Sequence, residues 1–272
     1  MRWAGGKRQL IPALERYIDR NVFANGNHRY FEPFIGGGAL CFYLEPSRSV
    51  INDYNPELIN VYEVIRDTPQ DLIELLRIHQ TNFSHDYYIQ IRSMDRCSSF
   101  LDLPAVERAA RIIFLNRTCY NGLYRVNNKG FFNVPIGKKK NPDIIMEDKI
   151  LAMNRYFNEN EVVMRKGDFE TAVEDAQPGD FVYFDPPYDY EESGFTSYNE
   201  TCFERKDLER LKRVSDDLIE MGCLVLLSNN DTPFVNELFE EYAIEHIDTK
   251  RFISCDGRTR NEGKEVIIYG HH

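Results

Sequence analysis

Apolar residues occur along the chain in short runs, and each run stops at a glycine, an acid or an amide. Short apolar runs that end in turn-forming residues are typical of β-strands. We predict seven strands, at residues 30–35, 49–52, 162–164, 181–184, 224–227, 243–247 and 266–269. Apolar positions at helical spacing predict helices at residues 56–66, 208–221 and 233–242. Strands that alternate with helices indicate an α/β fold with a mostly parallel sheet, whose last two strands form a hairpin-like edge.

A different pattern interrupts this alternation from residue 69 to about residue 144. Its apolar spacing predicts helices at residues 70–79, 86–94 and 105–116. A β-hairpin is expected within residues 123–134, because Asn127-Asn128-Lys129-Gly130 has strong turn chemistry between two β-prone runs. We therefore predict an α/β body, formed by residues 1–68 and 145–272, that is interrupted by a small and mostly helical insert at residues 69–144.

The composition is that of a globular protein, with 272 residues of which 42% are hydrophobic and 28% charged. The net charge of −11 argues against a protein that coats nucleic acid. The predicted insert differs, because residues 117–140 include no acid and six basic residues: Arg117, Arg125, Lys129, Lys138, Lys139 and Lys140. This window is either a solvated loop or a local phosphate-binding surface on an acidic body.

The sequence favours a cytoplasmic protein that does not associate with membranes. No apolar run approaches the ~20 residues that span a bilayer. The first residues are polar and glycine-rich rather than the apolar centre of a signal peptide. The six cysteines lie far apart and form no Cys-x-x-Cys pair, which favours free thiols in a reducing compartment and predicts no metal site.

Two features near the amino terminus suggest a cofactor site. Gly36-Gly37-Gly38 follows the first predicted strand and lets the backbone approach a ligand closely, although a tight turn alone also explains it. Asp53 ends the second strand, where a carboxylate either accepts hydrogen bonds from both ribose hydroxyls or caps a helix. Together these features predict an adenosine-containing cofactor. A P-loop and a complete Gly-x-Gly-x-x-Gly fingerprint are both absent from the sequence.

The strongest single motif is Asp185-Pro186-Pro187-Tyr188, which directly follows the fourth predicted strand. Two consecutive prolines remove two backbone donors and stiffen the chain, so the carbonyls and the Asp185 carboxylate present only acceptors. Such a corner suits an exocyclic amine, and Tyr188 provides a flat face for a planar base. The alternative is a rigid Pro-Pro turn beside an ordinary surface aspartate.

Together the motifs resemble the α-group DNA adenine-N6 methyltransferases, and the likeness to the Dam and DpnII-type branch runs nearly end to end. The matching segments are Trp3-Ala4-Gly5-Gly6-Lys7, Phe31-Glu32-Pro33-Phe34-Ile35-Gly36-Gly37-Gly38-Ala39-Leu40, Asn52-Asp53, Gly167-Asp168-Phe169, Asp185-Pro186-Pro187-Tyr188 and, in the insert, Arg117–Arg125 and Phe132–Gly137. The order is also that of the α-group, with the glycine motif first, then a target-recognition insert, then Asp-Pro-Pro-Tyr. The resemblance implies a seven-stranded Rossmann-like methyltransferase sheet with a target-recognition insert that contains a β-hairpin.

The resemblance also implies roles for individual residues. The residues matched to S-adenosylmethionine binding are Trp3, Lys7, Phe34, Gly36, Gly38, Asp53, Asp168, Phe169 and Asp185. The residues matched to holding the target adenine are Asp185, Pro186, Pro187 and Tyr188. Expected DNA contacts are Arg117, Tyr120, Asn121, Leu123, Arg125, Asn127, Lys129, Pro135, Lys138 and Lys139, of which Arg125 matches the branch's guanine-reading arginine. Lys138-Lys139-Lys140 departs from the branch, whose members often have Arg-Tyr there.

The activity that this resemblance implies is methylation of adenine N6 in GATC within double-stranded DNA, by base flipping and direct in-line methyl transfer. No obligatory protein partner is expected, although a cognate restriction endonuclease would fit a restriction-modification system. The alternatives are methylation of cytosine N4 or of RNA adenine, a nicotinamide-binding oxidoreductase, and a non-catalytic DNA-binding module.

Overall fold

The protein was analysed as a computed structural model, which describes residues 10–19, 27–189, 203–249 and 263–270. Seven strands lie in this part of the chain and form a single sheet. Their bounds are β1 Tyr30–Glu32, β2 Arg48–Asp53, β3 Glu161–Lys166, β4 Phe181–Phe184, β5 Leu224–Asn230, β6 Ala243–Thr249 and β7 Gly263–Gly270. The predicted seven-stranded sheet is therefore confirmed.

The sheet has the order β3-β2-β1-β4-β5-β7-β6. Strands β1 to β5 pair in parallel, and β7 is antiparallel to both of its neighbours. The predicted hairpin-like edge is thus the antiparallel pair of β6 and β7. The strand order reverses direction between β1 and β4, and ligands of open α/β sheets bind beyond the carboxyl ends of the strands at such a switch point.

Helices cover both faces of the sheet. Their bounds are α1 Ile11–Leu14, α2 Cys41–Leu44, α3 Pro56–Asp67, α4 Pro69–Asn82, α5 His85–Ser93, α6 Ala105–Thr118, α7 Glu147–Glu159, α8 Phe169–Ala172, α9 Arg205–Met221 and α10 Pro233–Leu238. Short 3₁₀ turns lie at Glu15–Tyr17, Met94–Arg96, Phe100–Asp102 and Tyr120–Gly122. In the described part of the chain, no helix is both long and apolar enough to cross a bilayer.

The elements differ from the predicted ones in several places. β1 ends at Glu32 rather than at residue 35, because Pro33 has no N–H to donate to a sheet ladder. β5 continues to Asn230, because its polar end pairs with β7. Helices α1, α2, α7 and α8 were not predicted, and α10 ends at Leu238 rather than at residue 242. The expected hairpin is reduced to an isolated bridge between Val126 and Phe132 around the turn at Gly130.

Alternation along the strands divides the core into two layers. Tyr30, Phe181 and Tyr183 pack on the side of α1 and α3–α7. Their neighbours Phe31 and Val182 pack on the other side, with α8–α10. Successive strand residues point to opposite faces, and in a parallel sheet covered on both faces both sets are apolar.

The insert helices α4, α5 and α6 share the first of these layers with the sheet body. Arg111 of α6 is 3% exposed, and its guanidinium is 2.8 Å from the carboxylate of Asp95. It also donates to the carbonyl of Ile91, at 2.9 Å. This buried cation therefore ties α6 to the end of α5, since an unpaired buried charge would be costly. The division at residues 69 and 144 remains a prediction.

Candidate active site

The glycine turn after β1 needs glycine for steric reasons. Gly36 and Gly38 have φ angles of +46° and +64°, a region that side chains disfavour. A Cβ on Gly38 would lie 2.3 Å from a ring carbon of Phe42. The hydroxyl of Tyr62, in α3, donates to the Gly36 carbonyl at 2.5 Å, and this hydrogen bond fixes the turn to the helix. The turn at the carboxyl end of β1 thus has a backbone conformation and packing that require glycine.

Asp53 is held beside this turn by main-chain hydrogen bonds. Gly36 N–H donates to its Oδ2 at 3.0 Å, and Asn55 N–H donates to its Oδ1 at 2.9 Å. Burial raises the pKa of the Asp53 carboxyl, and the two hydrogen bonds oppose that shift. Each carboxylate oxygen has more than one acceptor position, so both retain capacity for a ligand hydroxyl. The cap of α3 is Asn55 rather than Asp53, because the Asn55 side chain accepts from Glu57 N–H.

Asn52 joins three strand ends at this site. Its Nδ2 donates to the carbonyl of Pro33 at 2.9 Å and to the carbonyl of Gly167 at 3.0 Å. Gly167 N–H in turn donates to the carbonyl of Asp53 at 3.1 Å. The segments that follow β1, β2 and β3 are therefore in direct contact.

Asp168 and Phe169 lie beside these strand ends, at the start of α8. The Asp168 side chain accepts from Glu170 N–H at 3.0 Å, and its other oxygen pairs with Arg210 of α9. The Arg210 guanidinium also lies 4.5 Å from the ring centre of Phe169. Phe169 stacks on Phe34, with ring centres 5.4 Å apart. These contacts place an aromatic pair next to the glycine turn.

Phe203 completes the aromatic group and was not predicted from sequence. Its ring centre is 5.6 Å from that of Phe34 and 6.0 Å from that of Phe169, both in edge-on geometry. Residue 203 lies 34 positions beyond Phe169 in a segment without helical or strand pattern, so spacing could not have linked the two rings.

The Asp185-Pro186-Pro187-Tyr188 segment, hereafter the corner, follows β4 directly. Asp185 accepts a hydrogen bond from the hydroxyl of Ser228 at 2.9 Å, and that hydroxyl is 2.9 Å from the hydroxyl of Tyr183. The Tyr188 hydroxyl donates to Glu265 Oε2 at 2.9 Å. Burial, and then the negative charges of Asp185 and Glu265, raise the pKa of Tyr188, so its hydroxyl remains protonated.

Ser228 and Glu265 are functional candidates that the sequence analysis missed. Ser228 lies in β5, and Glu265 lies in β7 directly opposite Asn230 of β5. The amides at the end of the fifth strand were a signal for Ser228. Nothing in the sequence indicated Glu265, because its approach to Tyr188 depends on the antiparallel pairing of β5 with β7.

A second carboxyl group, Glu32, is buried at the end of β1 and is 3% exposed. Tyr30 donates its hydroxyl to Glu32 at 2.7 Å, and Cys41 N–H donates to the same oxygen at 3.2 Å. Burial raises the pKa of Glu32 to about 8, and the charge of Asp185 contributes to the shift, whereas the two hydrogen bonds oppose it. Glu32 therefore keeps its proton at neutral pH.

Several expected DNA-binding residues line a surface cavity of about 340 Å³ in the insert. The members are Arg117, Tyr120, Asn121, Lys138 and Lys139. Gly137 N–H donates to the carbonyl of Thr118 at 2.8 Å, and a Cβ at Gly137 would lie 2.6 Å from the carbonyl oxygen of Cys119. This close backbone approach holds the two halves of the cavity together.

Arg117 already has an acidic neighbour. Its Nε donates to the carbonyl of Asp143 at 2.6 Å, and its guanidinium is 3.5 Å from the Asp143 carboxylate. The structure therefore reduces the charge that Arg117 offers to an outside ligand, a pairing that the acid-free window at residues 117–140 did not reveal.

The remaining expected DNA-binding residues lie around the turn of the insert. Arg125 is exposed, and its Nε donates to Asn133 Oδ1 at 2.7 Å. The Asn127 side chain accepts from Lys129 N–H and Phe131 N–H, so its oxygen stabilises the turn. Lys129 and Pro135 are exposed, whereas Leu123 packs against the core. Trp3 and Lys7 lie outside the described residues.

The chain is similar to known DNA methyltransferases. A family model described as D12 class N6 adenine-specific DNA methyltransferase matches residues 3–253. The Type II methyltransferase M1.LlaDCHI of Lactococcus lactis subsp. cremoris is 45% identical over 99% of this chain and 95% of that protein. Type II methyltransferase M.MjaIII of Methanocaldococcus jannaschii is 36% identical over 100% of this chain and 98% of that protein. The DNA adenine methylase of Escherichia coli K12 is 28% identical over 98% of this chain and 93% of that protein. The chain therefore belongs to the D12 class of N6 adenine-specific DNA methyltransferases.

Proposed function

We propose that this enzyme methylates adenine N6 in GATC sequences of double-stranded DNA, with S-adenosylmethionine as the methyl donor. The observation that carries the proposal is that the glycine turn and the corner follow two neighbouring parallel strands, β1 and β4. Adjacent strands are about 4.8 Å apart, so the two segments leave the sheet side by side. A cofactor on the turn and a base in the corner would thus meet across the switch point.

The cofactor proposal is supported by the donors and acceptors around the turn. The Gly36–Gly38 backbone gives the close approach that the methionine part of the cofactor needs. Asp53 would accept hydrogen bonds from the ribose hydroxyls, because Gly36 N–H and Asn55 N–H hold its carboxylate in place. Phe34 and Phe169 would pack against the adenine ring, with Asp168 beside them. When bound, S-adenosylmethionine supplies an activated methyl group.

The corner is suited to orient the amino group of the target adenine. An adenine inside a duplex cannot be reached, so we propose that the base rotates out of the helix, which costs a few kcal/mol. Asp185 would accept an N–H of the amine, and Pro186 and Pro187 would keep the neighbouring carbonyls in a fixed direction. Tyr188 would stack on the base and so offset part of the cost of extrusion.

The insert is proposed to read the sequence. Arg125 is exposed at the turn and has the planar guanidinium that binds guanine O6 and N7 together. Lys138 and Lys139 at the cavity would contact phosphate as point charges, which adds affinity without reading bases. The remaining proposed contacts come from Tyr120, Asn121, Leu123, Asn127, Lys129 and Pro135, with Arg117 close by.

A direct test incubates the enzyme and labelled S-adenosylmethionine with a duplex that contains one GATC. The matched control is a duplex of the same composition that contains GTAC instead. Nucleosides are then released and separated by mass. The proposal predicts N6-methyladenine in the GATC duplex alone. N6-methyladenine at another sequence would overturn the GATC assignment, and N4-methylcytosine would overturn the base assignment.

A further inference from the structure

Asp189, the residue after the corner, is buried and all of its polar groups are bound. It is 8% exposed. Its N–H donates to Asn229 Oδ1 at 3.0 Å, and its carbonyl accepts from Asn230 Nδ2 at 2.6 Å. Its carboxylate accepts from Arg205 Nε at 2.9 Å and from the Thr232 hydroxyl at 2.8 Å. Asp189 is therefore fixed from three directions, by the end of β5, by α9 and by α10.

A carboxylate at this depth contributes little net stability by itself. Removing it from water costs several kcal/mol, and its ion pair and hydrogen bonds only roughly offset that cost. What a fully bonded buried network supplies is one defined geometry. The geometry fixed here is that of the segment which carries Asp185 and Tyr188.

The corner is anchored at both of its ends to the same strand. At its beginning, Ser228 of β5 donates to Asp185. At its end, Asn229 and Asn230 of β5 bind the backbone of Asp189. Two prolines with fixed φ angles lie between these anchors, so the segment behaves as a short stiff link. Release of either anchor would therefore move the whole link, including the Tyr188 ring.

We propose that Asp189 is a positioning residue for methyl transfer, a role that rests on the function proposed above. It does not touch the substrate. It holds Tyr188 and Asp185 in the orientation that the extruded adenine requires, through its ion pair with Arg205 and its hydrogen bond with Thr232. A displacement of about 1 Å at a reacting centre lowers rates by on the order of 100-fold. Loss of Asp189 therefore affects the rate of transfer more than the binding of either substrate.

The chain offers a matched control at the other end of β4. Asp180 directly precedes this strand and is 3% exposed. It also accepts from an arginine, since Arg29 Nη2 is 3.0 Å from its carboxylate, and it accepts from Gln177 N–H at 2.9 Å. The two aspartates thus have similar burial and partners, but only Asp189 adjoins the corner.

The experiment compares Asp189→Asn and Asp180→Asn with the wild-type enzyme on the GATC duplex. Melting temperature, dissociation constants for cofactor and DNA, and kcat are measured for each protein. We expect both variants to melt lower. Asp189→Asn should lose roughly 10- to 100-fold in kcat with both dissociation constants within about twofold, whereas Asp180→Asn should keep the kcat of its folded fraction. Equal kcat values for the two variants would overturn the proposal.

A milder pair covers the case in which Asp189→Asn does not fold. Thr232→Val removes the hydroxyl that donates to Asp189, and Thr232→Ser retains a hydroxyl. The proposal predicts a severalfold lower kcat for the valine variant and recovery of most of that loss by the serine variant. A valine variant with full kcat would overturn it. If wild type methylates another site or base, the same comparisons are made there, and a wild type without methyl transfer would refute the proposed function itself.

Discussion

The corner and the insert provide the two halves of the proposed reaction, and the protein holds them in opposite ways. At the corner and directly after it, Asp185, Tyr188 and Asp189 form hydrogen bonds with residues of β5, β7 and α9, respectively. In the insert, Arg125 and Lys139 are exposed, and Arg125 donates a hydrogen bond to Asn133, eight residues away in the chain. The corner is therefore held in a fixed geometry before any substrate binds, whereas the insert has basic side chains exposed on its surface.

This difference follows from what each region has to do. Stabilising a reacting amine requires acceptors that are already in place, because reorganisation during the reaction would cost rate. Reading a base edge in the major groove requires a long side chain that reaches out and exchanges an internal hydrogen bond for one to guanine. Substitutions in the corner should therefore lower kcat, and substitutions in the insert should change selectivity or affinity.

The largest effect is expected for Asp185→Ala. It removes the carboxylate that would hold the adenine amine, and loss of one well-placed polar group lowers kcat by on the order of 100- to 1,000-fold. Single-turnover methylation of the GATC duplex at saturating cofactor measures this effect. A variant that transfers methyl groups at close to the wild-type rate would show that the corner does not hold the reacting base.

Arg125→Ala should come next and should act on selectivity. A bidentate arginine–guanine contact contributes about 1–3 kcal/mol of discrimination, so the variant should lose preference at one guanine of the site. Rates on duplexes with each base pair replaced in turn give the profile. A uniform decrease across all duplexes would place Arg125 among the phosphate contacts instead.

Glu32→Gln tests the electrostatics beneath the corner through stability. The pKa of Glu32 is about 8 in the folded protein against 4.5 ordinarily. Between these values the unfolded chain has lost the proton that the folded protein keeps, so the Glu32 contribution makes wild-type stability fall as pH rises from about 4.5 to about 8.

Glutamine does not titrate, so the melting temperature of Glu32→Gln relative to wild type should rise from pH 5 to pH 8, by on the order of a few degrees. Melting curves of both proteins at the two pH values measure this difference. A constant difference would mean that Glu32 is ionised throughout this range.

The smallest effect is expected for Lys139→Ala. Loss of one phosphate contact should weaken binding to all duplexes by a similar factor. The slope of log affinity against log salt should become shallower by about 1. For the wild type, we expect the logarithm of DNA affinity to fall with the logarithm of salt at a slope of roughly −3 to −6. Titrations at several salt concentrations measure both. A slope near zero would remove the insert as the electrostatic contact surface.

The same contrast explains which parts could be predicted from the sequence. The strands could be predicted, because apolar runs between turn-forming residues are a local signal. The positions of Asp53 and Asp185 at strand ends could be predicted for the same reason. Helix α7 was missed although Ile150 and Phe157 have helical spacing. The hairpin was overestimated, because turn chemistry at Asn127 predicts a turn without predicting how far its flanking strands pair.

The contacts that fix the corner could not be predicted, because they join distant parts of the chain. Glu265 is 77 residues from Tyr188, and Ser228 is 43 residues from Asp185. The first contact depends on the position of β7 between β5 and β6, and the second depends on the pairing of β4 with β5. No local pattern specifies either of these neighbours. Asp189 was not singled out in the sequence for the same reason.

The central claim is that cofactor and extruded base meet where β1 and β4 end. A crystal structure with a non-reactive cofactor analogue and a GATC duplex tests it most directly. The account predicts the target adenine outside the helix, with its N6 about 3 Å from an Asp185 oxygen and about 3–4 Å from the position of the transferable methyl group. An adenine still stacked in the duplex, or a cofactor analogue bound away from the Gly36–Gly38 turn, would contradict the account.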